Sequence, residues 1–408
     1  MTISSCSRAA STSSPSGAHR RREGARRGAL HDAAIRGGRA LGVVALAAWG
    51  LLGCSPANED EPGADARPVP ITSADGARGL AASDGELYWV DASGQLILAI
   101  RGDGSERRVV IDGLDEASSL RVVGDDLYWL NFRWLGDTSA ESPAGSSDGS
   151  IQLMTAPRAG GPATKLFEGA GASSGGLAVG DDGAYLAMVT DPADVSATSG
   201  ALIKVPRTGA PVTLAGALAF PTSVTVDGDF VYWVNRGQYQ HNENGAFFGD
   251  TAGGSVVRVA RAGGPPETLA AGLANARALA VDDERIYFIA ETALAPDEDR
   301  SNSALWSCPK SGCGEANALA TKLVEGVNLR DPRRDGHMLY FLEGAGGGSS
   351  VLSKVPVGGG ERSSVFATSD RDAIGSFAIE GDFAYLVHQK NVHNINTDLD
   401  WIMRAPKL

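Results

Sequence analysis

Apolar residues in this chain come in short strings divided by Gly, Asp, Pro and Ser, and one string recurs. Leu87-Tyr88-Trp89-Val90-Asp91 returns as Leu127-Tyr128-Trp129-Leu130-Asn131 and as Val231-Tyr232-Trp233-Val234-Asn235, with weaker copies centred on Tyr185, Tyr287, Tyr340 and Tyr385. The seven tyrosines are spaced by 40, 57, 47, 55, 53 and 45 residues. Each copy has the same grammar. An apolar stretch such as Ala278-Leu279-Ala280-Val281 leads into a turn of the Asp227-Gly228-Asp229 kind, which tolerates positive φ. The aromatic string follows, then a variable loop. A third stretch such as Leu202 to Val205 comes next, with a turn and a fourth stretch such as Pro211 to Leu214. Alternating and β-branched residues between Gly and Pro turns predict strands, four to a copy.

Repeats of 40 to 55 residues, each with four strands, predict an all-β fold: a β-propeller of seven blades, four antiparallel strands per blade, over residues 68–408. A pair of β-sandwiches is the alternative. The last copy is one strand short, because only Asp400 to Ala405 follows its hairpin. Val69-Pro70-Ile71-Thr72-Ser73 precedes the first copy as a surplus strand and aligns with Val365-Phe366-Ala367-Thr368-Ser369. The N-terminal strand is therefore expected to complete the seventh blade and close the ring, which removes two exposed sheet edges. The Tyr-Trp-Val-Asp string resembles the YWTD-type propeller repeat, with valine in place of threonine. That family has six blades, so its partners are not implied for seven copies. The chain is also similar to bacterial surface lipoproteins with propeller domains of unknown function.

Residues 1–53 have the pattern of an export signal. Arg36 and Arg39 precede an apolar run from Ala40 to Leu52, too short for a membrane-spanning helix. Leu51-Leu52-Gly53-Cys54 resembles the bacterial lipobox, which implies that Cys54 carries a covalent lipid and becomes the first mature residue. Ser55, and not an inner-membrane retention aspartate, follows it, so the implied address is the bacterial cell envelope with the outer membrane favoured. Residues 54–67 read as a flexible acidic tether. The membrane is expected as a partner only through this anchor.

Charge refines the picture. The 408 residues have a formal net charge of −13. The signal holds eight arginines and two acids, so the remainder stands at −19. Such a body is a poor match for nucleic acid, which needs concentrated basic surface. Cys308 and Cys313 lie on either side of a predicted turn in the fifth copy, where paired α-carbons come within disulfide range. A disulfide is expected, with no metal site and no cofactor beyond the lipid.

The long insertions, 131–149, 190–200, 235–254, 290–303 and 388–400, all fall between second and third strands, hence on one face. Growth on one face suggests use. Trp134, Tyr239, Phe247 and Phe248 on these loops are aromatics of the type that anchor interfaces. Aligning the copies places Arg78, Ser118, Gly175, Thr222, Arg277, Arg330 and Gly375 round the channel mouth, paired with Asp91, Asn131, Met188, Asn235, Ala290, Glu343 and His388. On this register Arg78 faces Asp91, Arg330 faces Glu343, and Arg277 faces Ala290 with no acid. Arg277 thus leads the ligand candidates, because guanidinium offers a bidentate fork to an anion or carbonyl. Arg78, Arg330, Asn131, Asn235, Glu343, His388, Trp134 and Tyr239 complete the set. The expected function is binding of a protein, peptide or glycan on the long-loop face. The alternatives are a lyase or hydrolase using His388 with His393, Asp398 and Asp400, and an envelope-assembly scaffold. The chain has no His-Glu-x-x-His and no P-loop.

Overall fold

The computed structural model describes residues 67–407 apart from 75, 92–94, 135–148, 191–198, 238, 242–246, 250–252, 294–301, 346, 370 and 391–399. The signal segment with Cys54, the tether 54–66, and His393 and Asp398 lie outside the described residues. So do the side chains of Trp134, Tyr239, Phe247 and Phe248.

The described chain is all-β and propeller-like, built from open antiparallel sheets. The first four-stranded sheet runs Arg78–Ser83, Glu86–Val90, Ile97–Arg101 and Arg108–Ile111. The second holds Ala117–Val123, Asp126–Trp134, Gly149–Pro157 and Thr164–Ala170, and the third Ala172–Gly180, Gly183–Val189, Gly200–Pro206 and Val212–Leu218. The next three repeats were expected as separate sheets. They are instead one ten-stranded sheet, from Pro221–Asp227 to Ser363–Ala367. The cause is local: Glu267–Val281 and Thr321–Asp335 each run 15 residues without a break, serving as the fourth strand of one repeat and the first of the next. Tyr239–His241 and Phe247–Gly249 pair separately as a two-stranded ribbon within the insertion of the fourth repeat. The final sheet is Ala373–Glu380, Phe383–Gln389, Trp401–Pro406 and Val69–Ser73. Its edge strand comes from the other end of the chain, with Val69 opposite Arg404 and Ser73 opposite Trp401. Pro70 is tolerated there because an edge strand can forgo a ladder N–H.

The aromatic strings occupy the second strand of each repeat, and that strand is covered on both faces. Leu87, Tyr88, Trp89 and Val90 are all buried. Their side chains alternate: Tyr88 and Val90 pack with Leu127 and Trp129 of the following sheet, while Leu87 and Trp89 pack with Tyr385, Val387 and Ile402 of the last sheet. Burial on both sides explains why these strands read as unbroken apolar runs rather than alternating ones. Tyr128 and Tyr185 likewise face the next repeat.

Polar contacts link neighbouring repeats on the face of the short turns. A basic residue just past the third strand reaches the preceding repeat: Arg158 bonds Asp84 at 2.6 Å, Arg261 bonds Asp181 and Asp182, Lys310 bonds Asp227, and Lys407 bonds Asp335. A second cation donates to the backbone of the next repeat, as Arg258 does to the Lys310 carbonyl at 2.9 Å. Arg404 of the last sheet approaches the Gly102 carbonyl of the first at 3.4 Å.

Candidate functional site

The first strands of all the repeats meet at one cavity of about 670 Å³. Leu80, Leu120, Leu177, Val224, Leu279 and Ala378 line its wall. Between neighbouring first strands the backbones approach closely. The Leu279 N–H donates to Ser223 Oγ at 2.9 Å, and the Leu80 N–H donates to Ser376 Oγ at 3.2 Å, joining the first sheet to the last. At Gly176 an added Cβ would sit 2.8 Å from a Val224 methyl and 3.2 Å from the Ser223 nitrogen, so a larger residue there would push the strands apart.

Every first strand holds at least one extra residue opposite its partner, and the third and fifth hold two. Arg78 pairs with Val90 and Ala81 with Tyr88, and the same shift separates Ser118 from Arg121, Thr222 from Thr225, and Arg330 from Arg333. The backbone turns to positive φ at Gly79 (61°), Ser119 (55°), Ser223 (51°) and Asp331 (54°). These are β-bulges, which re-aim side chains. They overturn the expected mouth register. Arg78 lies opposite Val90 and not Asp91, Ser118 opposite Leu130, Thr222 opposite Val234, and Arg330 opposite Leu342 and not Glu343. Met188 faces Ser173 in place of Gly175, and His388 faces Ile374 in place of Gly375.

The candidate residues sort accordingly. Arg277 lines the cavity, but the expectation that it meets no acid is wrong. Glu291, with a side chain 3% exposed, lies 3.3 Å from its Nη1 and also accepts from Asn275 Nδ2. Two extra residues between Ala274 and Ala278 place Glu291 opposite Ala274. Arg330 also lines the cavity, and its Nη2 donates to the Ile374 carbonyl at 2.6 Å. Burial pushes its pKa down from the usual guanidinium value. Glu343 is held by Arg362 at 2.7 Å and by the Ser353 hydroxyl at 2.5 Å. Asn131 and Asn235 are buried and serve the repeats: Trp129 Nε1 donates to Asn131 Oδ1 at 2.9 Å, and Trp233 Nε1 to Asn235 Oδ1 at 3.0 Å. Arg78 is exposed on the first strand. His388 Nε2 lies 3.2 Å from Asp372 Oδ2, with the Phe366 ring edge beside it. Asp400, expected near His388 as a catalytic acid, accepts from the backbone N–H groups of Gly76 and Lys390. The Cys308–Cys313 disulfide is present, and both residues are fully buried.

Three arginines that the mouth alignment passes over also line the cavity: Arg121, Arg333 and Arg334. Arg121 and Arg333 share one position of the repeat, three residues beyond Ser118 and Arg330, where the other copies have Ala81, Ala178, Thr225, Ala280 and Ala378. Two arginines among five small residues are a signal that sequence alignment holds. Arg121 donates Nε to the Leu177 carbonyl at 3.1 Å and Nη1 to the Leu120 carbonyl at 2.9 Å. Burial, and then the like charge of Arg333, push its pKa down to about 10. Arg333 stacks over the Phe377 ring, 4.8 Å from its centroid, and bonds Asp331 at 3.1 Å. Arg334 lies 3.5 Å from Asp282.

Solved structures of similar shape include the propeller domain of the Trilobed protease from Pyrococcus furiosus. It has a TM-score of 0.54 at 12% identity, covering 83% of this chain and 95% of that one. The fold is a β-propeller. A polysaccharide lyase, ulvan lyase, gives a TM-score of 0.53 at 10% identity over 82% of this chain and 95% of its own. A prolyl endopeptidase gives 0.52 at 11% identity over 83% of this chain, which spans about half of that enzyme's length. In sequence, the vitellogenin receptor of Solenopsis invicta is 43% identical over 47 residues, 11% of this chain and 3% of that receptor, in keeping with a YWTD-like repeat. No family model matches the chain.

Proposed function

We propose that this protein is an exported binding module, lipid-anchored through Cys54 in the bacterial cell envelope. On this reading the seven repeats close as a ring of seven blades, completed by the Val69–Ser73 strand, and hold a protein, peptide or glycan ligand at the face bearing the long loops. The observation that carries it is the single cavity lined by first strands from every repeat, with Arg277 and Arg330 at the end of those strands nearest the long loops. Arginine stays protonated at all physiological pH values, so such a lining suits holding a ligand better than exchanging protons with it. The pairing of Val69 with Arg404 and the Leu80–Ser376 bond favour ring closure over an open stack.

A peptide and glycan array probed with the full chain tests this. Binding that falls at least tenfold in Arg330→Ala and in Trp134→Ala supports the reading; binding that ignores both substitutions rejects the long-loop face. Metabolic labelling with a fatty acid should mark the wild type and not Cys54→Ser.

A second reading, a lyase or hydrolase, is favoured by the His388–Asp372 pair, whose geometry lets a carboxylate orient an imidazole as a general base. The lyase and peptidases of similar fold are compatible with it. Slow cleavage of an acidic polysaccharide or peptide, abolished by His388→Gln, would establish it over simple binding.

A further inference from the structure

We propose that the channel interior is an oxyanion site, with Arg121 and Arg333 as its principal donors and a small carboxylate- or sulfate-bearing molecule as its ligand. The inference rests on the ring reading above, since only a closed ring brings these two arginines to one cavity as a binding pair.

Four observations converge. First, the lining has five arginines (Arg121, Arg277, Arg330, Arg333, Arg334) and one aspartate, Asp331, inside a protein whose formal charge is −13. Second, the positive charge is incompletely neutralised. Arg277 has Glu291 and Arg334 has Asp282, but Arg121 and Arg330 are held by backbone carbonyls, with no carboxylate at ion-pair distance among the described residues. A carbonyl orients a guanidinium without cancelling its charge, and a charge removed from water without a counter-ion is costly. Third, Arg121 and Arg333 belong to different repeats, the second and the sixth, yet line one cavity with like charge that Asp331 beside Arg333 offsets only in part. An anion between them would convert this repulsion into two attractions. Fourth, both are fixed in place: Arg121 by two carbonyls, Arg333 by stacking on Phe377 and by Asp331. Such preorganisation spares a ligand the entropy of ordering long side chains. Each guanidinium keeps unused N–H donors for a bidentate contact.

The site is distinct from the mouth residues. Arg330 and Arg333 are two ladder positions apart across the bulge, which places the Arg333 level ~7 Å deeper than that of Arg330. A cavity of about 670 Å³ suits a ligand of small-molecule or disaccharide size and excludes a folded partner.

The test is isothermal titration of the full-length protein in detergent with sodium citrate and, separately, with sodium sulfate, at low and at physiological ionic strength. The expected result is saturable binding of at least one anion, weakening with salt. Arg333→Gln should weaken it at least tenfold, while Arg121→Lys, which keeps the charge but loses the fork, should weaken it less. Tighter binding of citrate assigns a carboxylate ligand, and tighter binding of sulfate a sulfate ester. Thermal melts of each variant show whether the fold is retained, and Arg333→Lys replaces Arg333→Gln if it is not. The proposal is overturned if wild type takes up neither anion, or if the arginine variants bind as wild type does. A channel that binds no anion in a protein with a demonstrably closed ring would remove this site alone and leave the long-loop reading standing.

Discussion

At the scale of single residues, the repeat string is a packing device. Tyr88, Trp89 and their equivalents are buried because their strand is sandwiched between two neighbours, and this was legible from recurrence alone. Asn131 and Asn235 were harder to read. Their position beyond the tyrosine suggests a channel mouth, yet each lies two residues past a tryptophan whose indole N–H needs a buried acceptor. The recurrent spacing Trp129-x-Asn131 and Trp233-x-Asn235 carried that information, since residues two apart on a strand share a face. Asn235→Ala leaves the Trp233 donor unsatisfied and should cost about 1–3 kcal/mol in urea unfolding. Glu86 offers a pH prediction. The bidentate bond from Arg108, at 2.5 and 3.1 Å, holds its pKa at about 2, against 4.5 ordinarily. The folded value is the lower one, so the stabilisation is complete above the unfolded pKa and disappears as pH falls from about 4.5 toward 2. Glu86→Gln should therefore be less stable than wild type at pH 7 and should lose less stability over that acid range, as read by melting temperature against pH.

At the scale of elements, strand order was legible because every turn announces itself in Gly, Asp or Pro. The register within the first hairpin of each repeat was not. Serine or aspartate at the bulge, as at Ser119, Ser223 and Asp331, looks like any strand residue in the sequence, and its positive φ is seen only in the folded chain. That one extra residue moved Arg330 away from Glu343 and left Glu343 to Arg362. The Cys308–Cys313 link was legible from spacing. Its removal by Cys308→Ser with Cys313→Ser should cost about 2 kcal/mol, small because the loop is short, and should leave the anion titration unchanged. The cations that join neighbouring repeats differ from ordinary surface pairs. Arg261 is largely buried and bonds two aspartates and Tyr185, whereas Arg101 and Glu106 form an exposed pair. Arg261→Met should lower the melting temperature clearly, and Arg101→Met should change it little.

At the scale of the whole molecule, the N-terminal strand and the channel are one problem. The seven clusters of buried side chains each draw on two successive repeats, and the cluster holding Trp89, Tyr385 and Ile402 joins the last repeat to the first. The joint between the last repeat and the first lies between residues far apart in the chain, so the surplus strand was legible by counting strands, whereas the arginines lining the cavity needed the cavity to be seen. The channel has a functional meaning only if that joint holds. The most direct measurement is therefore cross-linking across it: Pro70→Cys with Met403→Cys in the full chain, two positions directly opposite one another. The ring account predicts that mild oxidation of the native protein joins the two cysteines in nearly every molecule, seen as a linked peptide pair by mass spectrometry, with a raised melting temperature and anion binding retained. Free thiols at both positions under native conditions would contradict it.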